Sequence, residues 1–292
     1  MSEIIISKRT IDIEKIFKNK SPKLGGLLPS FVYNYLRKIV HEKDMNAILY
    51  DHRERFGLDF IRTVLSEYTV KVEHTGLEYF QKDGRYIVAA NHPLGGLDGL
   101  TLMQSVAEKR EDIVFPVNDL LMYLPNLQSL FIPINKHGSN ADNIKIINET
   151  FDSDKILLYF PAGLVSRRQN DGSIRDPEWK TTFISRAKKH QRDVIPTFVE
   201  GHNSKFFYNL AYWRKKIGIK ANLEMLYLAN EMFKQEGKTI SIHYAPSIPY
   251  QTFDKRFNNR DWAKKVKEYV YRMETQRENT IPFEDFLKIP KK

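Results

Sequence analysis

From residue 69 onward, the sequence alternates between short apolar runs and longer amphipathic segments. Runs of strand length lie at residues 70–72, 85–90, 113–117, 129–134, 155–160, 194–199 and 239–244. Helical periodicity appears between them near 97–109, 140–151, 179–190 and 221–235, with a last helix near 258–276. This alternation favours a mostly parallel or mixed sheet that is covered by helices. The sequence therefore predicts an α/β fold.

The first 68 residues show helical patterns and no strand signal. One of these helices has an apolar stripe, formed by Phe31, Val32, Tyr35, Leu36, Ile39 and Val40. Such a stripe is typical either of a helix packed on the core or of a helix lying in a membrane interface. Because no repeat or long linker interrupts the chain, we predict a single domain: an N-terminal helical segment, 1–68, that precedes an α/β region, 69–292.

Composition limits the compartment and the chemistry. The 292 residues contain no cysteine, which excludes disulfides and thiolate catalysis and agrees with a reducing compartment. No signal-peptide pattern opens the chain, and no apolar stretch reaches the roughly 18 residues that a membrane span needs. We therefore expect a cytoplasmic protein that lies peripherally on the inner face of the cytoplasmic membrane.

The formal charge of +10 indicates an anionic partner. Nucleic acid, an anionic membrane and an acidic carrier protein would all satisfy it, and a basic protein without such a partner is the alternative. A nucleic-acid-binding fold signature is lacking, so no nucleic acid is predicted. Residues 206–216 place aromatics beside basic side chains, which is typical of a lipid headgroup contact or of a helix packed on the core.

One strand-to-helix junction carries candidate catalytic residues. His92 follows the predicted strand 85–90, Asp98 begins the next helix, and Gly95-Gly96 lie between them. A histidine and a carboxylate that meet across such a turn can act as a general base and its orienting group. In the alternative interpretation, His92 caps a turn and Asp98 caps the helix.

Three later segments also place polar residues after a predicted strand, where sites form in α/β sheets. They contain Asn118, the turn Phe160–Gly163 with Ser166, Arg167 and Arg168, and the run Glu200–Ser204. The two arginines offer forked donors to a carboxylate or phosphate. The chain has neither metal-ligand spacing nor a dinucleotide fingerprint, so no metal or cofactor is predicted.

Together, over about residues 85–205, these four segments resemble the glycerolipid (lysophospholipid) acyltransferase family. That family has Asn-His, four residues and Asp in its first block, and Phe-Pro-Glu-Gly-Thr-Arg-Ser in its third. Here five residues separate His92 from Asp98, Ala162 replaces the Glu, and Leu164-Val165 replace Thr-Arg.

A bacterial, hemolysin-like branch that includes ornithine- and glycine-lipid O-acyltransferases is more similar. It carries His-Pro-x-Gly-x-x-Asp-Gly, Phe-Pro-Ala-Gly-x-Val-Ser-Arg and Gly-x-Asn-Ser, which match residues 92–99, 160–167 and 201–204. The resemblance implies transfer of a fatty acyl group from acyl carrier protein or acyl-CoA to the hydroxyl of a lyso-lipid at an anionic membrane surface. The expected acceptor is a lyso-amino-acid lipid.

The same resemblance implies that His92 is the base and that Asp98 orients it. The remaining candidates are expected to bind substrate: Asn91, Gly95, Gly96, Asn118, Gly163, Ser166, Arg167, Arg168, Glu200, Asn203 and Ser204. Two alternatives stay open. One is a 1-acylglycerol-3-phosphate-type acyltransferase, and the other is a non-catalytic lipid- or nucleic-acid-binding protein.

Overall fold

The computed structural model describes residues 6–20, 27–118, 121–133, 140–276 and 280–290. Its sheet has seven strands: β1 Lys71–Thr75, β2 Tyr86–Ala90, β3 Ile113–Val117, β4 Phe131–Pro133, β5 Ile156–Tyr159, β8 Asp193–Val199 and β9 Thr239–Tyr244. A separate hairpin pairs β6 Arg167–Arg168 with β7 Ile174–Arg175. The sheet order is β1-β9-β8-β2-β5-β3-β4, and neighbours are parallel except β8 and β9. The predicted α/β fold is confirmed.

Helices precede the sheet and cover both of its faces. They are α1 Ile13–Lys20, α2 Ser30–Ile39, α3 Glu42–Asp51, α4 Gly57–Glu67, α5 Gly96–Ala107, α6 Asn140–Asp152, α7 Thr182–His190, α8 Lys205–Lys216, α9 Leu228–Phe233, α10 Asn259–Arg272 and α11 Phe283–Leu287. The N-terminal helical segment is thus present. Residues of α3 and α4 share one hydrophobic core with the sheet, and the division at residue 68 stays a prediction.

The central strand β2 is buried on both faces, which is why its sequence is a continuous apolar run. Val88 and Ala90 pack toward α4 and α5, whereas Ile87 and Ala89 pack toward α7 and α10. Strand β2 lies between β5 and β8, so the chain that leaves its carboxyl end emerges in the middle of the sheet edge. That edge positions the candidate site.

Some predicted elements differ from the observed ones. The run 129–134 is split between a 3₁₀ helix, Pro125–Leu130, and strand β4, and residue 134 lies outside the described residues. The helix predicted at 221–235 is a 3₁₀ turn, Leu223–Tyr227, followed by the short α9. Period alone could not place these breaks, because each segment changes its type of secondary structure within a few residues.

The apolar stripe of α2 serves two environments. Leu36 and Ile39 are buried together with Tyr33, which the stripe did not include. Phe31 and Tyr35 are instead 72% and 52% exposed. The helix therefore packs on the core along one edge and leaves an aromatic edge uncovered. Within the described residues, helices that combine the length and the apolarity needed for crossing a bilayer are lacking.

Replacing Leu158 of β5 by alanine should lower the free energy of unfolding by about 3 kcal/mol, because the side chain is completely buried at the centre of the sheet. The matched control is Leu27→Ala, since Leu27 is 79% exposed and its truncation should cost less than about 0.5 kcal/mol. Chemical denaturation of both variants measures the difference, and equal losses would contradict the assignment of the core.

Candidate active site

The end of β2 is fixed to its neighbour by Asn91. The buried Asn91 amide donates to the Val199 carbonyl oxygen (2.9 Å) and accepts from the Val199 N–H (2.6 Å). Both ends of the amide are thus bonded inside the protein, and the expected substrate contact of Asn91 stays a prediction. Asn91 sets the position from which His92 leaves the sheet.

His92 and Asp98 meet as the sequence predicted. The His92 Nδ1 atom lies 2.8 Å from Asp98 Oδ2, and the same oxygen accepts the N–H groups of Leu94 (2.8 Å) and Gly95 (3.0 Å). Gly95 has φ +91°, which favours glycine, and it lets the chain turn back so that Asp98 reaches three donors. Five intervening residues, rather than four, are therefore accommodated by this turn.

The tautomer of His92 follows from these contacts. Asp98 Oδ2 already accepts two backbone N–H groups, so it acts as an acceptor toward Nδ1, which must carry the hydrogen. Nε2 is then left as the basic nitrogen, and the His92 side chain remains 17% exposed. A base oriented in this way can take a proton from a substrate hydroxyl.

Burial controls the charge state of Asp98. Its side chain is completely buried, and this burial raises the pKa of the Asp98 carboxyl above its usual value. The hydrogen bonds from His92, Leu94 and Gly95 act in the opposite direction and offset part of that increase. Removing the Asp98 carboxylate from water is thus unfavourable, and the hydrogen bonds offset part of this free energy. Such perturbed pKa values are typical of catalytic groups.

Phe160, at the end of β5, holds the other side of the imidazole. The two rings stack with centroids 4.0 Å apart and planes within 15°. Phe160 also begins a tight turn in which its carbonyl accepts the Gly163 N–H (3.0 Å), and Gly163 has φ +64°. The Phe-Pro-Ala-Gly segment therefore lies directly beside His92.

A carboxylate that sequence reasoning missed connects these two loops. Asp176 is completely buried, and its Oδ1 accepts the His92 backbone N–H (3.2 Å) and the Ser166 hydroxyl (2.7 Å). Its Oδ2 accepts the Trp179 indole N–H (2.8 Å), and its own backbone N–H donates to the Tyr271 hydroxyl (2.7 Å). Ser166 is thereby a buried positioning residue rather than an open substrate contact.

The two candidate arginines have different surroundings. Arg167 pairs with the completely buried Glu224 (2.9 Å) and stacks on Phe207, and Glu224 also binds Arg214. Burial would raise the pKa of Glu224, but its hydrogen bond from Arg214 and both positive charges lower it overall. Arg167 is thus engaged within the protein, whereas Arg168 is exposed and lies over Tyr212, and a substrate contact of either arginine stays a prediction.

The last motif is also internally bonded. Glu200 binds His243 (2.6 Å), and the buried Asn203 donates to the Pro93 carbonyl (3.1 Å). Ser204 caps α8 by accepting the Phe207 N–H (3.2 Å). These contacts tie the segment to the catalytic loop rather than leaving it open to substrate. Asn118 lies exposed just after β3.

The segment around α9 covers the glycine turn. An ideal Cβ on Gly95 would lie 3.0 Å from the Leu228 side chain, and one on Gly96 would lie 3.9 Å from Met232. Gly96 itself is exposed at the first position of α5. A cluster of side chains suited to a metal is lacking throughout the described residues.

Comparison with known proteins agrees with this geometry. Residues 15–277 match the sequence profile of the family described as "Acyltransferase". The chain belongs to this acyltransferase family. It is therefore an enzyme that transfers acyl groups, and the resemblance in the sequence is confirmed at the level of the family.

Two relatives carry the same description, "Lyso-glycine lipid O-acyltransferase". The protein of Bacteroides thetaiotaomicron is 45% identical over 265 residues, covering 90% of this chain and 97% of its own length. The protein of Phocaeicola vulgatus is also 45% identical, covering 90% and 95%. A crystal structure of the 1-acyl-sn-glycerophosphate acyltransferase PlsC from Thermotoga maritima aligns with 16% identity and a TM-score of 0.47, covering 82% of this chain and 95% of that one.

Two substitutions test the proposed roles of His92 and Asp98 in acyl transfer. His92→Ala and Asp98→Asn should each lower the acyl-transfer rate by about 10²–10⁴-fold, because one removes the base and the other its orienting acceptor. A variant that unfolds would lose activity for another reason, so stability is measured as well.

Asp98→Asn should change stability in a direction set by the raised pKa of Asp98. When the pKa of a carboxyl is higher in the folded than in the unfolded protein, the free energy of unfolding is greater at a pH below both pKa values. It decreases as the pH rises from the unfolded pKa to the folded pKa. Asparagine does not titrate, so the variant should gain stability relative to wild type between about pH 4 and pH 8. Denaturation at both pH values checks this, and the opposite trend would show that the carboxyl pKa is depressed.

Proposed function

We propose that this enzyme transfers a fatty acyl group from an acyl thioester to the hydroxyl of a lyso-amino-acid lipid. The observation that carries the chemistry is the buried Asp98 holding His92 Nδ1, which leaves Nε2 as the basic nitrogen of a side chain that is 17% exposed. The descriptions of both relatives support the class of acceptor. The reaction needs only the two substrates and the base.

The reaction follows from the orientation of the imidazole. His92 Nε2 takes the hydroxyl proton as the oxygen attacks the thioester carbonyl carbon, and Asp98 stabilises the imidazolium. The tetrahedral intermediate then collapses, the carbon–sulfur bond breaks, and the thiolate receives the proton from Nε2. An ester and a free thiol result. The exposed Gly96 N–H, at the start of α5, is suited to stabilise the oxyanion, whereas the Gly95 N–H is used by Asp98.

Burial of the third motif supports an amino-acid acceptor over glycerol phosphate. Ala162 and Val165 occupy the positions where the glycerolipid pattern has Glu and Arg. Ala162 is packed in the core with Trp179, and Val165 is buried against Phe207. Both side chains are apolar and buried, so neither position presents a charge to a phosphate.

The positive charge supports an anionic donor. Acyl carrier protein and acyl-CoA are both anionic, so the charge of +10 favours encounter with either. We propose acyl carrier protein or acyl-CoA as donor, with the exposed Arg168 and Asn118 as polar groups that substrate can reach.

The acceptor is tested by incubating the purified protein with acyl thioester and a panel of lyso-lipids. We expect O-acylated product, identified by mass, from lyso-glycine or lyso-ornithine lipid and at least tenfold less from lysophosphatidic acid, because no motif charge faces a phosphate. The His92→Ala protein is the control. Preferential acylation of lysophosphatidic acid would overturn the proposed acceptor.

Two helices expose aromatic side chains close to the site. We name this the aromatic face: Phe31 and Tyr35 of α2, Phe206 and Trp213 of α8, and Ile217 directly after α8, all between 51% and 72% exposed. Tyr227 joins the helices, because its hydroxyl bonds that of Tyr35 and its ring lies 5.0 Å from Phe206. The next residue, Leu228, contacts the Gly95 turn.

We propose that the aromatic face rests on the membrane, on the cytoplasmic side, and brings the site to its lipid acceptor. Lys215 and Lys216 end α8 and are exposed, with the Lys216 ammonium 5.0 Å above the Trp213 ring. Aromatic side chains next to lysines are suited to anionic headgroups. Arg214 does not share this role, because it binds the buried Glu224.

Reversing the charge of Lys215 and Lys216 to glutamate should weaken binding to anionic vesicles by more than about tenfold, at about 1 kcal/mol for each lysine lost. The matched control reverses Lys188 and Lys189, which are exposed in the last turn of α7 and remote from the aromatic face. Vesicle co-sedimentation measures binding, and equal effects of the two pairs would contradict the proposed surface.

A further inference from the structure

An exposed lysine lies over the turn that flanks the catalytic histidine. An ideal Cβ on Gly163 would lie 2.9 Å from the Lys180 Nζ atom, so the ammonium occupies the space that a side chain at residue 163 would need. The Lys180 backbone N–H donates to the Pro161 carbonyl (3.0 Å), which fixes the lysine to the same turn. Lys180 belongs to none of the motifs, so sequence analysis assigned it no role.

The turn that this ammonium covers also contacts the proposed base. Phe160, the first residue of the turn, stacks on the His92 ring at 4.0 Å. The buried Asp176 binds both the His92 backbone and the indole of Trp179, the residue before Lys180. One carboxylate therefore joins the His92 backbone to the side chain of Trp179, the residue that precedes Lys180, so His92 and Lys180 border the same turn.

The charge of Lys180 is available for a ligand. Its side chain is exposed, and the part of the chain that the structure describes places no carboxylate on its ammonium. The nearby Glu178 is bound to Arg260 at 2.6 Å, and the buried Asp176 carboxylate already accepts three donors. Arg167, the motif arginine, is neutralised by Glu224.

Building on the proposed reaction, we infer that Lys180 binds the carboxylate of the amino-acid lipid. Gly163, which has no side chain, leaves room for the Lys180 ammonium. An amino acid joined to its fatty chain through nitrogen keeps a free carboxylate, and an ammonium is a suitable point-charge partner. Any side chain at residue 163 would occupy the space between the ammonium and the turn. The pair Lys180–Gly163 thus makes the site specific for an anionic headgroup without a motif arginine.

The test compares two acceptors that differ only in charge: an N-(3-hydroxyacyl)glycine and its methyl ester. Lys180→Met should raise KM for the free acid about tenfold and leave kcat within about twofold, because a charge-assisted contact is lost in binding but not in chemistry. The KM for the methyl ester should stay unchanged, and Lys180→Arg should keep most of the preference for the acid. Lys189→Met, an exposed lysine of α7, is the matched control.

Two results would overturn the inference: an equal effect of Lys180→Met on both acceptors, or loss of the acid preference in Arg168→Met but not in Lys180→Met. Equilibrium binding of the free acid to the His92→Ala protein, with and without Lys180→Met, gives a readout that does not need turnover. If the wild-type enzyme acylates neither acceptor, the proposed function fails, whereas a tenfold weaker binding in the double variant still supports Lys180. Unchanged binding would exclude it.

Discussion

Three N–H groups that converge on one buried carboxylate oxygen determine the site. Asp98 Oδ2 accepts the imidazole of His92 and the amides of Leu94 and Gly95. The amides fix the carboxylate, and the carboxylate fixes the ring, so base and turn are positioned together. Because the group is completely buried, its charge is costly without these donors. The glycine turn, the start of α5 and the tautomer of His92 all depend on this arrangement.

A second buried carboxylate connects His92 to more distant parts of the chain. Asp176 joins the His92 backbone to Ser166 and Trp179, and its N–H group binds Tyr271 of α10. The loops after β2 and β5 are therefore bonded to each other and to α10 near the end of the chain. Such contacts explain how an exposed base can keep one orientation at the edge of a sheet.

The fold and the contact between His92 and Asp98 could be predicted because their signals are local. The central strand is a continuous apolar run, and His92 and Asp98 are separated by a single glycine turn. Asp176 could not be predicted, because it is 84 residues from His92 and belongs to no motif. Glu224 was missed for the same reason, since it lies 57 residues from Arg167.

The two arginines show why motif membership does not define a ligand contact. Arg167 and Arg168 are adjacent, so in the hairpin strand β6 their side chains point to opposite sides. One faces the buried Glu224 and the other faces solvent. The apolar stripe of α2 is likewise divided into a buried part and an exposed part, because the core covers only one edge of this helix. Sequence periodicity identified the stripe but not the part of it that is covered.

The most direct test of the account is the tautomer of His92, observed by ¹⁵N–¹H NMR of histidine-labelled protein near pH 8 and assigned with the His92→Ala variant. The geometry predicts that the neutral ring carries its hydrogen on Nδ1, with that proton shifted downfield by the Asp98 carboxylate and the shift lost in Asp98→Asn. A ring protonated on Nε2 would contradict it, because the nitrogen facing the substrate could not then accept the hydroxyl proton.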